Sequence, residues 1–499
     1  MVASSNFKPP VNLFSLVEDA ASKWPDDPAV IHGERSFSYA EIQRAAECLA
    51  SEFDKAGIRP GDKVGLAFPN SPEYIVAFFA VLRIGGIVVP VSGALKAPEI
   101  ANLGRDFALD AFCYSGRFNS VIPRGDETSL VEAAIFQSGA RLCIKRGGSQ
   151  DTLPSEREQL SKLNAACMAF SSGTTSKAKG VILSHATILE RARMGQFTPP
   201  ITKATAMVYM RPMDRTAMPY QICACLLAGG RVVIADSLSL ESLPRLLREH
   251  RVDQIYAGPL FYQNLIHQDM TAEDASSVQY FISGGGPLSS SVSEIFQARF
   301  HREILQSYAC IECAPMAINI NGDARRRSSI GKLVPQREVK LVSLDSELWP
   351  SETLGEIFVR GPGLFDGYYR PWRPREEVLE DGWFRTGDIA RCDADGYYWI
   401  VGRTKEVINV GGVKVFPYEV EAVLLSHSDV EEAVVFGAPD ARFGEVAHAR
   451  VKLNERAKCT QRGLLRYANV KLSVFQALRS VEFVEEIPKT ATGKPRRVG

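Results

Sequence analysis

Apolar runs of strand length alternate with helical patterns along much of this chain, and glycine turns separate them, so few architectures can accommodate it. Residues 63–68 read as a strand, 71–84 as an amphipathic helix, and 87–90 as the next strand after Gly85-Gly86. The rhythm returns at 231–234, leads into a helix through 243–247, and continues with strands at 254–256 and 280–282 around a further helix. Gly284-Gly285-Gly286-Pro287 follows, then a helix from about residue 289. Strand, turn and helix repeated in this way predict an α/β body of doubly wound, largely parallel sheets. From about residue 333, short strands at 339–342, 355–360 and 397–400 predict a small antiparallel subdomain. After Gly402 a compact α+β segment is expected, with helices near 418–425 and 460–468 and strands at 433–436, 448–453 and 481–484. The expected division is a large N-terminal domain over 1–402 and a small C-terminal domain over 403–499.

Charge narrows the function classes. Among 499 residues, Lys plus Arg equals Asp plus Glu at 58 each, so no global field favours nucleic acid or an anionic membrane. No apolar stretch of about 18 residues occurs, and the start lacks a basic segment ahead of a long apolar one. No membrane span and a cytoplasmic location are therefore expected. The ten cysteines read as reduced, small hydrophobes, with Cys223 and Cys225 alternating on a core segment. Cys310 and Cys313 form a C-x-x-C pair, but no second pair or nearby His pair completes a metal site around it.

The run Phe170 to Gly180 carries five hydroxyls, two glycines and two lysines in eleven residues between apolar segments. Small residues let the backbone curl so that several N–H groups point inward, hydroxyls add donors, and lysines neutralise charge: a phosphate cradle. It is not a Walker A loop, because Lys179 precedes Gly180 and the apolar run Val181-Ile182-Leu183 follows. Taken alone, the same residues also suit a solvated turn between two strands.

Other motifs arbitrate. They include Ser283-Gly284-Gly285-Gly286-Pro287-Leu288, Tyr308-Ala309-Cys310-Ile311-Glu312, Gly355-Glu356-Ile357 with Gly367-Tyr368-Tyr369, and Asp381 to Asp388. Gly402-Arg403-Thr404-Lys405-Glu406, Gly411-Gly412 with Pro417-Tyr418-Glu419, and Thr490-Ala491-Thr492-Gly493-Lys494 follow. In order and spacing, over nearly the whole length, the chain resembles the adenylate-forming superfamily of acyl-CoA synthetases, nonribosomal-peptide adenylation enzymes and luciferases. The resemblance implies ATP-dependent activation of a carboxylic acid to an acyl-adenylate, release of pyrophosphate, and transfer to a thiol. It implies ATP and Mg2+, with CoA or a carrier protein's phosphopantetheine as acceptor. Ser171, Ser172, Gly173, Thr174, Thr175 and Lys179 would hold the β and γ phosphates. Gly285 and Tyr308 would flank the nucleotide, Asp388 would accept the ribose hydroxyls, and Arg403 would contact ribose or phosphate. Glu312 would be the Mg2+ ligand, and Lys494 the catalytic ammonium that reaches both the substrate carboxylate and the α-phosphate. Lys405 takes the hinge position of a C-terminal domain that swings, and Gly412 lies where backbone approaches the thiol arm.

Departures from the pattern mark a divergent member. Ile311 stands where a threonine offers its hydroxyl to the α-phosphate, Ala309 replaces a glycine, and Ser176 and Ala178 replace the usual glycine and proline of the loop. One missing donor to a charged group is worth about 1.5–3 kcal/mol, enough to slow adenylation without abolishing it. Arg211-Pro212-Met213-Asp214-Arg215 lies where relatives carry Pro-x-x-His, so Asp214 or Arg215 replaces a pocket-gating aromatic. The two charges face a charged substrate or pair with each other. Gly284, Gly286 and Ala309 complete the expected acyl pocket. The compact length resembles the aryl and short- or medium-chain enzymes, and no carrier domain is expected, whereas the five residues after Lys494 are fewer than the family pattern implies. An aromatic or small acid and CoA are expected as substrates. The alternatives are a stand-alone enzyme loading an acyl or amino acid onto a carrier protein, and a non-catalytic nucleotide or acyl-adenylate binding protein.

Overall fold

The computed structural model describes residues 12–122, 128–136, 138–145, 154–171, 179–197, 199–215, 217–235, 240–320, 324–343, 354–488 and 497. Two nine-stranded sheets form the body. The first runs, edge to edge, Lys332–Leu333, Ala317–Ile318, Ile304–Tyr308, Tyr280–Gly284, Gln254–Ala257, Ala206–Tyr209, Arg231–Ile234, Pro28–His32 and Arg35–Ser38. From Ile304–Tyr308 to Pro28–His32 every pairing is parallel, and both edges turn antiparallel. The second runs Arg373–Pro374, Gly367–Tyr369, Lys179–Ser184, Ala165–Ser171, Ile87–Pro90, Lys63–Ala67, Ala111–Ser115, Ser138–Lys145 and Thr128–Ile135. Its central four strands, from Ala165–Ser171 to Ala111–Ser115, are parallel and its flanks antiparallel.

Local chemistry explains the elements. Pro72–Arg83 starts where Ser71 accepts the Tyr74 N–H and Pro72 takes the first turn, and every residue from Tyr74 to Leu82 is buried. Strand Lys63–Ala67 is buried along its whole length, as a parallel strand covered on both faces must be. One apolar cluster joins the helices and strands of both sheets, so the two sheets share a core.

A third, four-stranded antiparallel sheet orders Glu338–Val342, Leu354–Arg360, Phe384–Cys392 and Tyr398–Arg403. The last sheet is built from Ile408–Val410, Val413–Val415, Val430–Asp440 and Gly444–Leu453, with Leu478–Phe483 added parallel to Gly444–Leu453. Residues 408–481 enclose a core of their own, which includes Val420, Leu424, Val435 and Leu464. Phe416 and Val407 reach back to pack on Leu354, Ile389 and Val401 of the third sheet. The strand that precedes this last unit ends at Arg403. Among the described residues, no helix is long and apolar enough to cross a membrane.

Candidate active site

The C-terminal ends of the parallel strands in the first sheet carry the site, as open α/β sheets require. Strand Ile304–Tyr308 ends on Tyr308, and the turn that follows carries Glu312. The Tyr308 hydroxyl donates to Asp388 Oδ2. Arg403 Nε meets the other oxygen, Oδ1, at 2.8 Å, because Asp388 and Arg403 are directly opposed across two antiparallel strands. Asp388 is 4% exposed. Burial first, and the Asp388 charge second, push the Tyr308 hydroxyl far above its ordinary range, so it remains a donor. Instead of a turn, Thr386-Gly387-Asp388 is a kinked stretch of strand: Gly387 has φ +76°, and Thr386 Oγ1 accepts the Asp388 N–H at 3.1 Å. Each carboxylate oxygen keeps a second lone pair for an incoming hydroxyl.

Glu312 is organised by a tyrosine that sequence comparison left without a role. Tyr368 donates to Glu312 Oε1 at 2.9 Å, while Lys179 Nζ sits 5.1 Å from the centroid of the same ring. The pairing of Gly367–Tyr369 with Lys179–Ser184, Tyr368 opposite Val181, brings them together. Among the described residues no hydrogen bond or ion pair engages Glu312 Oε2. A hard carboxylate oxygen left open beside a lysine-bearing phosphate loop fits Mg2+ bound to phosphate. Gly180 has a packing role: a Cβ there would lie 2.6 Å from Phe107 Cε1. Ser172, Gly173, Thr174, Thr175, Ser176, Ala178 and Lys494 lie outside the described residues, and Ser171 is described only as the backbone end of its strand.

The glycine motif closes strand Tyr280–Gly284. A Cβ on Gly284 would lie 2.6 Å from Ser307 Oγ, and Gly285, at φ +89°, would place one 2.9 Å from Arg211 Nη2. The φ of +89° calls for glycine at Gly285, beneath the Arg211 guanidinium. Gly286 meets Pro259 at ordinary contact distance. Asn70, in the bend that follows Lys63–Ala67 of the second sheet, holds the loop that presents Arg211: its amide donates to the Arg211 carbonyl at 2.9 Å and accepts the Met213 N–H at 2.8 Å. Asp214 and Arg215 face each other, Nε to Oδ1 at 3.4 Å. Beyond Tyr308 and Ala309 lies a cavity of about 40 Å3, walled also by Ser307, Tyr220, Tyr256 and Gln221. Gln221 Oε1 is buried without a hydrogen-bond partner.

The sequence model of the AMP-binding enzyme family matches residues 17–369, and that of the AMP-binding enzyme C-terminal domain matches residues 419–494. The chain belongs to the AMP-binding enzyme family. Feruloyl-CoA synthase of Amycolatopsis sp is 30% identical to this AMP-binding enzyme over 477 residues, 94% of each chain. Oxalate–CoA ligase of Arabidopsis thaliana is 28% identical over 97% of each. Among solved structures, o-succinylbenzoate coenzyme A synthetase (MenE) from Bacillus subtilis with AMP superposes with a TM-score of 0.82 at 22% identity, covering 98% of both chains. ATP-bound MatB from Rhodopseudomonas palustris gives 0.80 at 23% identity over 97% of both. The enzyme is an AMP-forming acid:thiol ligase, which uses ATP to turn a carboxylic acid into an acyl-adenylate and transfers the acyl group to CoA.

The C-terminal unit of this AMP-binding enzyme holds the remaining candidates. Lys405 is exposed in the short 3-10 turn Thr404–Glu406, between Arg403 and the last sheet. Gly412 and Gly411 close a two-residue hairpin with φ +90° and +60°. That geometry alone calls for glycine at Gly412, whose Cβ would meet only open space. Arg497 is the surprise. In the sequence it follows Lys489, Lys494 and Arg496 in a basic run of the kind usually solvated, yet its Nη2 donates to both oxygens of the buried Glu421, at 2.7 and 2.9 Å, and its guanidinium covers the Tyr418 ring. Cys310 and Cys313 bring their sulfurs to 2.8 Å across the Glu312 turn. Cys223 and Cys225 are core residues as expected.

Proposed function

We propose that this AMP-binding enzyme activates a small or aromatic carboxylic acid and passes it to CoA, in the cleft around Tyr308, Glu312 and Asp388. One observation carries the reading. A single turn bears Tyr308, bonded to Asp388, and Glu312, bonded to Tyr368, so the nucleoside grip and the metal-side grip move as one piece. Asp388 and Arg403 would take the ribose, with Gly285 and Tyr308 beside the base. Lys179 with Ser171, Ser172, Gly173, Thr174 and Thr175 would take the outer phosphates. Glu312 would hold Mg2+, which when bound screens the phosphate charge against the incoming carboxylate. Lys494 would bridge carboxylate and α-phosphate. Residues 403–499 would turn about Lys405 as a mobile domain and bring Gly412 toward the thiol arm. Gly284, Gly286 and Ala309 would border the acid. A cytoplasmic location suits the need for ATP and CoA.

The names of relatives, from feruloyl-CoA synthase to oxalate–CoA ligase, cover too many acids to choose one. Carboxylate-dependent pyrophosphate release over an acid panel tests the reading. Running it with and without CoA separates CoA ligation from loading of a carrier protein. Lys494→Ala should abolish adenylation while sparing thioester formation from supplied acyl-adenylate; pyrophosphate release untouched by that change would sink the role given to Lys494.

A further inference from the structure

The loop 211–215 carries two guanidinium groups and one carboxylate. Asp214 Oδ1 lies 3.4 Å from Arg215 Nε, an ion-pair contact in which that oxygen accepts no hydrogen bond from the described residues. Arg211 is left with no acidic partner among the described residues, although it is half-buried. A guanidinium partly withdrawn from water calls for an anion, and the described residues supply none. Its position says which anion. The Nη2 atom lies over Gly285, and Gly284 separates it from Ser307, a wall of the cavity. Its charge also acts on Tyr209 and on Tyr220, and Tyr220 lines the same cavity. The contacts of Lys179 and Glu312, by contrast, are to Tyr368. Arg211 thus belongs with the acid and not with the outer phosphates.

From this we infer that Arg211 is the specificity residue of the acyl site and that it binds a second anionic group on the acid. The preferred substrate is then a short acid carrying two carboxylates, one activated and one held by the guanidinium. A planar guanidinium matches a carboxylate in bidentate geometry, which a lysine at the same place does not. The loop is built to present it: Asn70 clamps the backbone on both sides of Pro212, so the side chain projects from a fixed base. This inference rests on the ligase reading above.

The test compares acids of equal carbon skeleton with one or two carboxylates, such as butyrate with succinate and o-toluate with phthalate. For the wild-type enzyme, kcat/KM for pyrophosphate release should favour the two-carboxylate member by about 10²-fold or more, since a site built for a polar group strongly rejects the analogue lacking it. In Arg211→Met that ratio should collapse toward one, and Arg211→Lys should restore part of it. A wild-type preference for the one-carboxylate acid, or a ratio unchanged in Arg211→Met, overturns the inference; the latter result would mean that Arg211 serves the reacting carboxylate or the phosphates. Thermal shift with a non-hydrolysable ATP analogue reads the same site without turnover. A dicarboxylate-specific shift that Arg211→Met abolishes supports the assignment even if no acid gives pyrophosphate, in which case only the ligase reading falls. The absence of such a shift in the wild type counts against the assignment. The shift given by the analogue alone reports that each variant is folded.

Discussion

Replacing Arg497 with Gln should weaken the C-terminal unit in a manner that depends steeply on pH. Glu421 is 7% exposed, its Oε1 also accepts the Val435 N–H at 2.7 Å, and Arg497 is its bidentate partner. Burial pushes the Glu421 carboxyl from the ordinary 4.5 up to about 7, even with Arg497 pulling the other way. Because the folded value lies above the unfolded one, the native state binds a proton that the unfolded chain lacks between those values. The stability this confers is whole below pH 4.5 and is lost as pH rises through 7. The gap of 7 minus 4.5, at about 1.36 kcal/mol per pH unit, comes to roughly 3 kcal/mol. Without Arg497 the carboxyl rises further, so Arg497→Gln goes on losing stability above pH 7 where the wild type has levelled off. From pH 7 to 8.5 the added deficit should reach about 2 kcal/mol. Hydrogen exchange of the amides in Val430–Asp440, corrected for intrinsic rates, measures this locally without assuming two-state unfolding of the whole chain. Glu421→Gln should flatten the profile. If the wild type and Arg497→Gln differ equally at pH 6 and 8.5, the carboxyl is not the titrating group and the reasoning fails.

Further outcomes are expected at the catalytic turn. Tyr308→Phe removes a hydrogen bond to the buried Asp388 carboxylate, about 1.5–3 kcal/mol, and should cut kcat/KM for ATP by roughly 10–100-fold in pyrophosphate exchange while barely moving KM for the acid. Glu312→Gln should raise the Mg2+ concentration needed for half-maximal rate; an unchanged Mg2+ profile would remove Glu312 from the metal. Ile311→Thr restores a hydroxyl at the turn and should raise the adenylation rate by about tenfold, read from single-turnover adenylate formation. A rate that stays put would show that another donor already fills the place.

Much of the body could be read from apolar runs bounded by glycine, because fully buried parallel strands need no alternation to be seen. Ile87–Pro90 and Arg231–Ile234 fall on the residues expected, whereas the last sheet has longer strands than expected and an additional hairpin, Ile408–Val410 with Val413–Val415. The hairpin Thr128–Ile135 and Ser138–Lys145 went unseen because Phe136, at φ +54°, takes the turn where glycine or asparagine usually announces one. At the site, spacing located Glu312, Asp388 and Arg403 but not what holds them. Tyr368 lies 56 residues from Glu312, and only the strand pairing brings its hydroxyl there. Arg497 resembled one more solvated charge, since its partner is 76 residues away and buried. The charges of loop 211–215 were visible, but which two of the three pair depends on side-chain direction, and sequence spacing carries no such information. Gly180 also packs against Phe107, and Gly412 also serves hairpin geometry, two roles that spacing alone does not reveal.

The Asn70 clamp has a practical corollary for anyone recombining this enzyme with its relatives. The segment that carries Arg211 belongs to one sheet, and the side chain that ties it down lies 141 residues earlier, just after Lys63–Ala67 of the other sheet. Transplanting the later segment alone would move the charge and leave its moorings behind. The exchangeable module for acid choice is therefore discontinuous in sequence, and crossovers between the two stretches separate parts that work only together.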